Sequence, residues 1–318
     1  MNQPSASPGS PDSTPPPGRV ARRAWLLTDT PASRLQALLG LAYRRWRRFA
    51  RNPLNLLGLA ILAALILVAL AAPLLMPHDP LAQVLGDRLL PPGTPSHWLG
   101  TDQLGRDIGS RLIGGSRITL GIAILVVAIV VPIGLLIGTT AGYAGGFVDS
   151  VLMRLTDIAL ALPKIVLALA FAAALGPGVV NAVVAISITA WPAYARLARA
   201  ETIRIAQADF IHAARLQGAS GWRILRRYIV PLCLSSVIVR ATLDMAGIIL
   251  TVAGLGFLGL GAQPPSPEWG FMVASGRGVL LDAWWVATLP GIAILLVSLA
   301  FNLLGDGLRD VLDPRHGA

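Results

Sequence analysis

The chain has 318 residues, 54% of them apolar and 13% charged, with a net charge of +10 and one cysteine, Cys233. The charged share is about half that of an ordinary soluble domain, which excludes a soluble globular protein, and one cysteine excludes an internal disulfide or a cysteine zinc cluster. Of 26 basic residues only Lys164 is a lysine, in the context ALPKIV, so the Gly-Lys-Ser/Thr turn of a phosphate-cradling loop is absent and the chain cannot hydrolyse nucleotide by that route.

Residues 1–18 are rich in Pro, Ser and Gly with almost nothing to bury, which predicts disorder. They lack the basic start, apolar core and cleavage site of a signal peptide. From Arg19 to Arg51 nine arginines accompany Trp25, Leu26, Leu35, Leu38, Leu39, Trp46 and Phe49. This pattern fits an amphipathic helix lying on lipid headgroups or a basic anchor without fixed structure.

Six apolar runs follow, each near the length of about 20 residues that a membrane crossing needs. They are 54–76, 118–141, 151–175, 179–195, 232–258 and 283–304. The segment 1–51 carries nine Arg against Asp12 and Asp29, and 196–227 carries seven Arg against Glu201 and Asp209. Four spans separate these two segments, an even number, so both lie on one side. Residues 77–117, with four Arg and four Asp, and 263–284, with Arg277 against Glu268 and Asp282, fall on the other. The excess of positive charge in cytoplasmic loops then predicts both termini inside. It also accounts for the net charge without nucleic acid.

The stretch from Arg196 to Pro231, RLARAETIRIAQADFIHAARLQGASGWRILRRYIVP, is too basic for hydrocarbon and reads as a loop facing the cytoplasm. Asp209 stands where an N-cap would accept from free N–H groups, and Gly218 supplies a left-handed stop. Ser220 is placed to cap a second helix ending near Pro231. The first helix has about two turns, too short to be stable alone in water. Its exposed side offers Ala213 and Ala214, small residues that let a partner approach the backbone.

Ionisable groups inside spans usually face protein or a water-filled cavity. Arg240 and Asp244 are four apart and can neutralise each other. Asp157 and Lys164 are seven apart, two turns along one face, with Pro163 between them. These four residues either line a polar path or lock helices together. Before the second span, Asp102, Arg106, Asp107 and Arg111 are spaced so that a helical turn could pair them. A metal site from His97, Asp102 and Asp107 has no sharp ligand spacing.

Ala213-Ala214, Gly218 and the closing Tyr228-Ile229-Val230-Pro231 resemble the cytoplasmic EAA loop of permease subunits from binding-protein-dependent ABC importers. His212 stands where that pattern has Glu, Tyr228 where it has an aliphatic residue or His, and Val230 where it has Leu. The run His97-Trp98-Leu99-Gly100-Thr101-Asp102, continuing through Arg106-Asp107 and Ser110-Arg111, resembles the C-type permease of dipeptide and oligopeptide importers. So do Gly142-Tyr143-Ala144-Gly145-Gly146 with Asp149, then Leu255 to Gly261 with Gly256 for Ser, Glu268-Trp269-Gly270, and GDGLRDVLDPR from Gly305.

The resemblance covers about residues 50 to 315. It implies an all-α polytopic membrane protein with six transmembrane helices, a type I (MetI-like) importer domain in a bacterial cytoplasmic membrane. The divisions are a basic cytoplasmic N-terminus, 1–51, a first helix with its external segment, 52–117, and a five-helix core, 118–318, containing coupling loop 196–231. By the same resemblance Asp209, His212, Ala213, Ala214, Gly218 and Pro231 belong to a coupling helix that docks on an ATPase. The implied partners are a second homologous permease, two ABC ATPase subunits, an external solute-binding protein and the bilayer, with no cofactor and no nucleic acid. The solute implied is a dipeptide or oligopeptide, or otherwise a nickel chelate or glutathione. A secondary transporter using Asp157, Lys164, Arg240 and Asp244 is the rival, but no internal repeat supports it.

Overall fold

The computed structural model describes residues 33–312, and among them the ordered chain is helical, with no strand beyond two isolated bridges. The expectation for residues 1–18, the first part of the basic segment and the end of GDGLRDVLDPR lie outside the described residues. The described residues fall into two separate compact units, 33–52 and 53–312. In the first, α1 (Arg34–Phe49) opens on Ser33, whose hydroxyl accepts from the Gln36 N–H at 3.1 Å. Leu35, Leu38, Leu39 and Trp46 line an exposed apolar face, while Arg44, Arg45, Arg47 and Arg48 crowd the last turns. That much of the basic segment is an amphipathic helix.

The second unit comprises α2 (Pro53–Leu70), α3 (Ala72–Leu75), α4 (Ile108–Ala144), α5 (Gly146–Leu160), α6 (Lys164–Leu175), α7 (Val179–Ala206), α8 (Asp209–Leu216), α9 (Gly221–Phe257), α10 (Trp269–Gly276) and α11 (Trp285–Leu312). Four of these, α2, α4, α9 and α11, are long and apolar enough to cross a membrane alone. The pair α5 and α6 is bent by 85° and passes the same test only when its halves are taken together as one span. Helix α7, whose apolar run from Val179 to Ala195 is shorter than the others, is not among the four.

Several boundaries differ from the sequence reading, each for a local reason. Asp107 accepts the Ser110 N–H at 2.6 Å and so starts α4 at Ile108, ten residues before the apolar run. The third span is not one helix. Its halves meet at 85° around Ala161, Leu162 and Pro163, because the residue before a proline is driven out of helical geometry. Asp157 and Lys164 therefore share no helical face. At the other end of α6, Gly176 (φ +85°) breaks the chain, and the Asn181 side chain donates to the Leu175 and Gly176 carbonyls.

The core joins α4, α7, α9 and α11 through Val126, Val130, Ile186, Tyr194, Ile249 and Val297, all fully buried. The most extensive pairing is α4 against α7. Gly134, Gly138 and Gly142, one turn apart on α4, face Tyr194, Ala195, Ala198 and Arg199; a methyl on Gly138 would collide with the Ala195 carbonyl and the Ala198 side chain. Lipid tails supply little hydrophobic drive between helices, so backbone contact through such small residues holds the pair. We expect Gly138→Val to separate α4 from α7 and to lower the yield of folded, detergent-extractable protein sharply, whereas Gly121→Val, at a position open to space, leaves it unchanged; size-exclusion profiles of both variants check this.

Candidate functional site

The basic stretch is organised as a short peg between two long helices. Helix α7 continues past its apolar run to Ala206 and α9 begins at Gly221, so within the basic stretch only residues 207–220 lie outside the two long helices. Helix α8 is capped by backbone, not by Asp209. The N-cap is Ala208, and Asp209 sits in the first turn, where its charge favours the N-terminal dipole. Ser220 occupies the N-cap position of α9 without a side-chain hydrogen bond.

The C-terminus of α8 follows the sequence expectation. Gly218 lies at φ +80°, its N–H donates to Arg215 O at 2.9 Å, and the Ala219 N–H donates to Ala214 O at 3.1 Å. This paired closure is a Schellman motif, which needs a left-handed residue that glycine adopts without a Cβ penalty. A Cβ at Gly218 would meet nothing within 4 Å, so its constraint is conformational, not steric crowding.

What holds this two-turn helix is a small core of its own. Ile205 from α7, Ile211 from α8, and Ile224, Ile229 and Cys233 from α9 form one buried cluster, with Tyr143 at the end of α4 packed against it. Ala214 turns inward with Ile211 and is buried, which corrects the expectation that both alanines face out. The outward face presents Phe210, His212, Ala213 and Leu216, the last 90% exposed.

Pro231 does not end the second helix. Residues Leu225–Ile229 form a π turn, with the Val230 N–H donating to Leu225 O, and α9 continues through Pro231 into the membrane. Such a wide turn accommodates a proline that cannot donate and whose ring would clash with the preceding turn. The peg is thus joined to a span by one helix with a bulge.

Two further contacts were legible in the sequence only as parts of a motif without a role. The Arg215 guanidinium sits 5.8 Å from the centre of the Tyr143 ring, pinning the end of α8 to α4. Arg199 on α7 grips Asp149 in the first turn of α5 with two hydrogen bonds, 2.5 and 2.6 Å. The paired, planar geometry ties α7 to α5 at the base of the peg.

The intramembrane charges divide into two groups. Arg196 pairs with Asp157 at 2.6 Å and so joins α7 to α5. Arg240 pairs with Asp244 at 3.0 Å along α9, as the spacing predicts, and Lys164 at the bend between α5 and α6 lies within electrostatic reach of both. A cleft of about 650 Å³ opens between α7, α9 and α11, lined by Glu201, Arg204, Ser236, Arg240, Leu243 and Arg309.

The segment between α3 and α4 is held by a buried ionic knot in a loop, not in a helical turn. The Asp102 carboxylate accepts from the Leu104 and Arg106 N–H groups and pairs with Arg106 Nε at 2.7 Å and Arg111 Nε at 3.7 Å. All three residues are buried. Asp107 instead caps α4 and meets His97 Nδ1 at 2.9 Å. Asp102 therefore faces away from the trio in which the sequence reading placed it with His97 and Asp107. The knot is fastened to the rest of this side by Trp285 Nε1 donating to Thr101 O and Gln103 Nε2 donating to Ser275 O. Nearby, fully buried Glu268 caps α10 through the Gly270 and Phe271 N–H groups, both at 2.8 Å. Burial pushes its carboxyl above the usual carboxylate range, and those two N–H groups work against that shift.

With this geometry the chain matches known proteins along nearly its whole length. Residues 130–317 match the family described as binding-protein-dependent transport system inner membrane component, and residues 41–92 match the N-terminal TM domain of oligopeptide transport permease C. The chain is 46% identical over 266 residues to a probable D,D-dipeptide transport system permease protein, DdpC, of Escherichia coli K12, covering 84% of this chain and 89% of that one. It is 47% identical over 275 residues to the di/tripeptide transport system permease protein DppC of Pseudomonas aeruginosa, covering 85% and 91%. It is 43% identical over 294 residues to the glutathione transport system permease protein GsiD of Pectobacterium atrosepticum, covering 92% and 98%.

Exchanging the Arg199 and Asp149 charges tests the strut under the peg. Asp149→Arg and Arg199→Asp should each lower the thermal midpoint of the detergent-purified chain, and the double exchange should recover part of the loss, with a coupling of about 1 kcal/mol. Purely additive losses would mean that the pair joins nothing.

Proposed function

We propose, on the premise that this chain belongs to the family of binding-protein-dependent transport system inner membrane components, that it is one permease half of an ATP-driven importer for dipeptides and short oligopeptides. The observation that carries this reading is the rigid two-turn helix α8, closed by Gly218 and exposing Phe210, Ala213 and Leu216. A helix so short has no stability of its own and gains none by exposing an apolar tip to water. Its shape suits a socket on another protein.

In this reading α8 docks on an ABC ATPase subunit, which hydrolyses ATP while the permease itself catalyses nothing. Asp209 and His212 flank the docking face, Ala213 meets the partner, Ala214 and Gly218 fix the helix, and Pro231 marks the bulge that passes force to α9. A second homologous permease encloses the path, with a second ATPase beneath it and an external solute-binding protein delivering peptide. Both termini and the basic segment 1–51 then lie in the cytoplasm, and the knot of Asp102, Arg106, Asp107 and Arg111 faces outward. Arg240, Asp244 and Lys164 border the path, and Asp157 serves as a helix lock through Arg196. Glutathione, itself a tripeptide, is the second reading for the solute, favoured by the GsiD likeness over 92% of the chain.

Left-handed geometry at a β-branched residue costs on the order of 1–3 kcal/mol, more than a two-turn helix can absorb, whereas asparagine tolerates it. In the assembled importer, Gly218→Val should insert normally but lose both peptide uptake and the stimulation of ATP hydrolysis by loaded binding protein. Gly218→Asn should keep both. Normal uptake by a well-expressed Gly218→Val protein would contradict the peg. ATP-independent uptake by this chain alone would contradict the whole assignment.

A further inference from the structure

We infer that His78, His97 and Asp107 form a binding site for a borderline divalent transition metal of the Zn2+ type, beside the start of α4. The three residues come from separate parts of the chain, yet each offers a ligand atom and these atoms all lie within 4.8 Å of one another. Two imidazoles and a carboxylate are a donor set that zinc takes in sites with an open fourth position.

Each histidine lies near one oxygen of Asp107, at distances close to what coordination requires. Metal–ligand bonds of about 2.0–2.1 Å place tetrahedral ligand atoms roughly 3.3 Å apart. Here His97 Nδ1 lies 2.9 Å from Asp107 Oδ1, and His78 Nδ1 lies 3.9 Å from Asp107 Oδ2. The two imidazole rings sit 4.7 Å apart at their centres. Closing the set needs a shift of well under a side-chain length by His78, whose side chain is 40% exposed and whose backbone N–H is held by Ser110 Oγ at 3.1 Å. His97 and Asp107 are both buried, and their facing atoms, 2.9 Å apart, need to part by only about 0.4 Å.

The surroundings supply the outer layer that a zinc ligand set requires. When His97 ligates through Nδ1, its ring carries the proton on Nε2; Asp87 Oδ2 lies 3.9 Å away, beyond direct hydrogen bonding, and a small rotation of its exposed side chain closes that gap. A carboxylate so placed behind a ligating histidine fixes its tautomer and raises its basicity. Asp107 is oriented from its other side by the Ser110 N–H at 2.6 Å. Asp87 and Asp107 together carry two negative charges, matching a divalent ion, while the nearby guanidinium groups of Arg106 and Arg111 are directed to Asp102. The metal would bind the turn at His78 and the loop at His97 to the first residues of α4. It would thereby stiffen the segment between the first two spans.

The test uses the untagged full chain in its assembled complex, stripped with a chelator and dialysed against micromolar Zn2+. The parental complex should retain one more zinc per copy of this chain than the His78→Gln complex, and zinc should raise the thermal midpoint of the first but not the second. Substituting Co2+ should give the intense visible bands of a tetrahedral site in the parent only. Asp87→Asn should keep the stoichiometry and weaken affinity by about 10-fold or more, the usual loss when an outer-layer carboxylate is removed. Equal zinc retention by parent and His78→Gln, or no retention by either, would overturn the inference.

Discussion

Four isoleucines and a cysteine hold the short helix α8 in place between two long ones. Ile205, Ile211, Ile224 and Ile229, with Cys233, weld the end of one span, a two-turn helix and the start of another span into one buried cluster at the membrane surface. Without that packing α8 has too few hydrogen bonds to persist in water. With it, α8 is packed against α7 and α9 together. Polar contacts add direction. Arg199 and Asp149 bring in α5, and Arg215 over Tyr143 brings in α4. The glycine seam packs α4 closely against α7 along the same side, from Gly134 to Gly142.

The opposite side of the molecule uses a different device for a similar end. There the chain between α3 and α4 has little regular structure, and its order comes from buried ions and backbone caps. Asp102 satisfies two backbone N–H groups and two arginines at once. Breaking one partner of such a buried set leaves an uncompensated charge, which costs far more than the pair contributes when intact. The indole groups of Trp285 and Trp269 then tie loop and helix carbonyls across the layer.

Much of this was legible in the residues. Apolar runs located the long helices that can cross a membrane. Gly218 announced a left-handed stop because few other residues serve there. What misled was local punctuation whose outcome depends on neighbours. Pro231 read as a terminator, but a π turn before it lets the helix continue. Asp209 read as a cap, but Ala208 holds that position and the carboxylate sits one residue on. Arg196 and Arg199 read as loop because they are charged, yet Asp157 and Asp149 neutralise them and α7 continues. Asp157 and Lys164 read as neighbours on one face, and the bend at Pro163 separated them. Ala214 read as surface, since spacing alone does not say which alanine of a pair faces Ile211. Tyr143, Asp149 and Glu268 lay within quoted motifs, but only three-dimensional neighbours give them roles, and no periodicity encodes those.

The claim on which the account turns is that the tip of α8 meets an ATP-hydrolysing subunit on the inner side of the membrane. A cysteine placed at Ala213 measures this directly, because the native Cys233 is buried and does not compete for reagent. In the assembled importer a short bifunctional reagent should join position 213 to the ATPase subunit, with a yield that changes when ATP is bound. Labelling of that cysteine in intact cells by a membrane-impermeant thiol reagent, or no cross-link to any ATP-binding subunit, would contradict it.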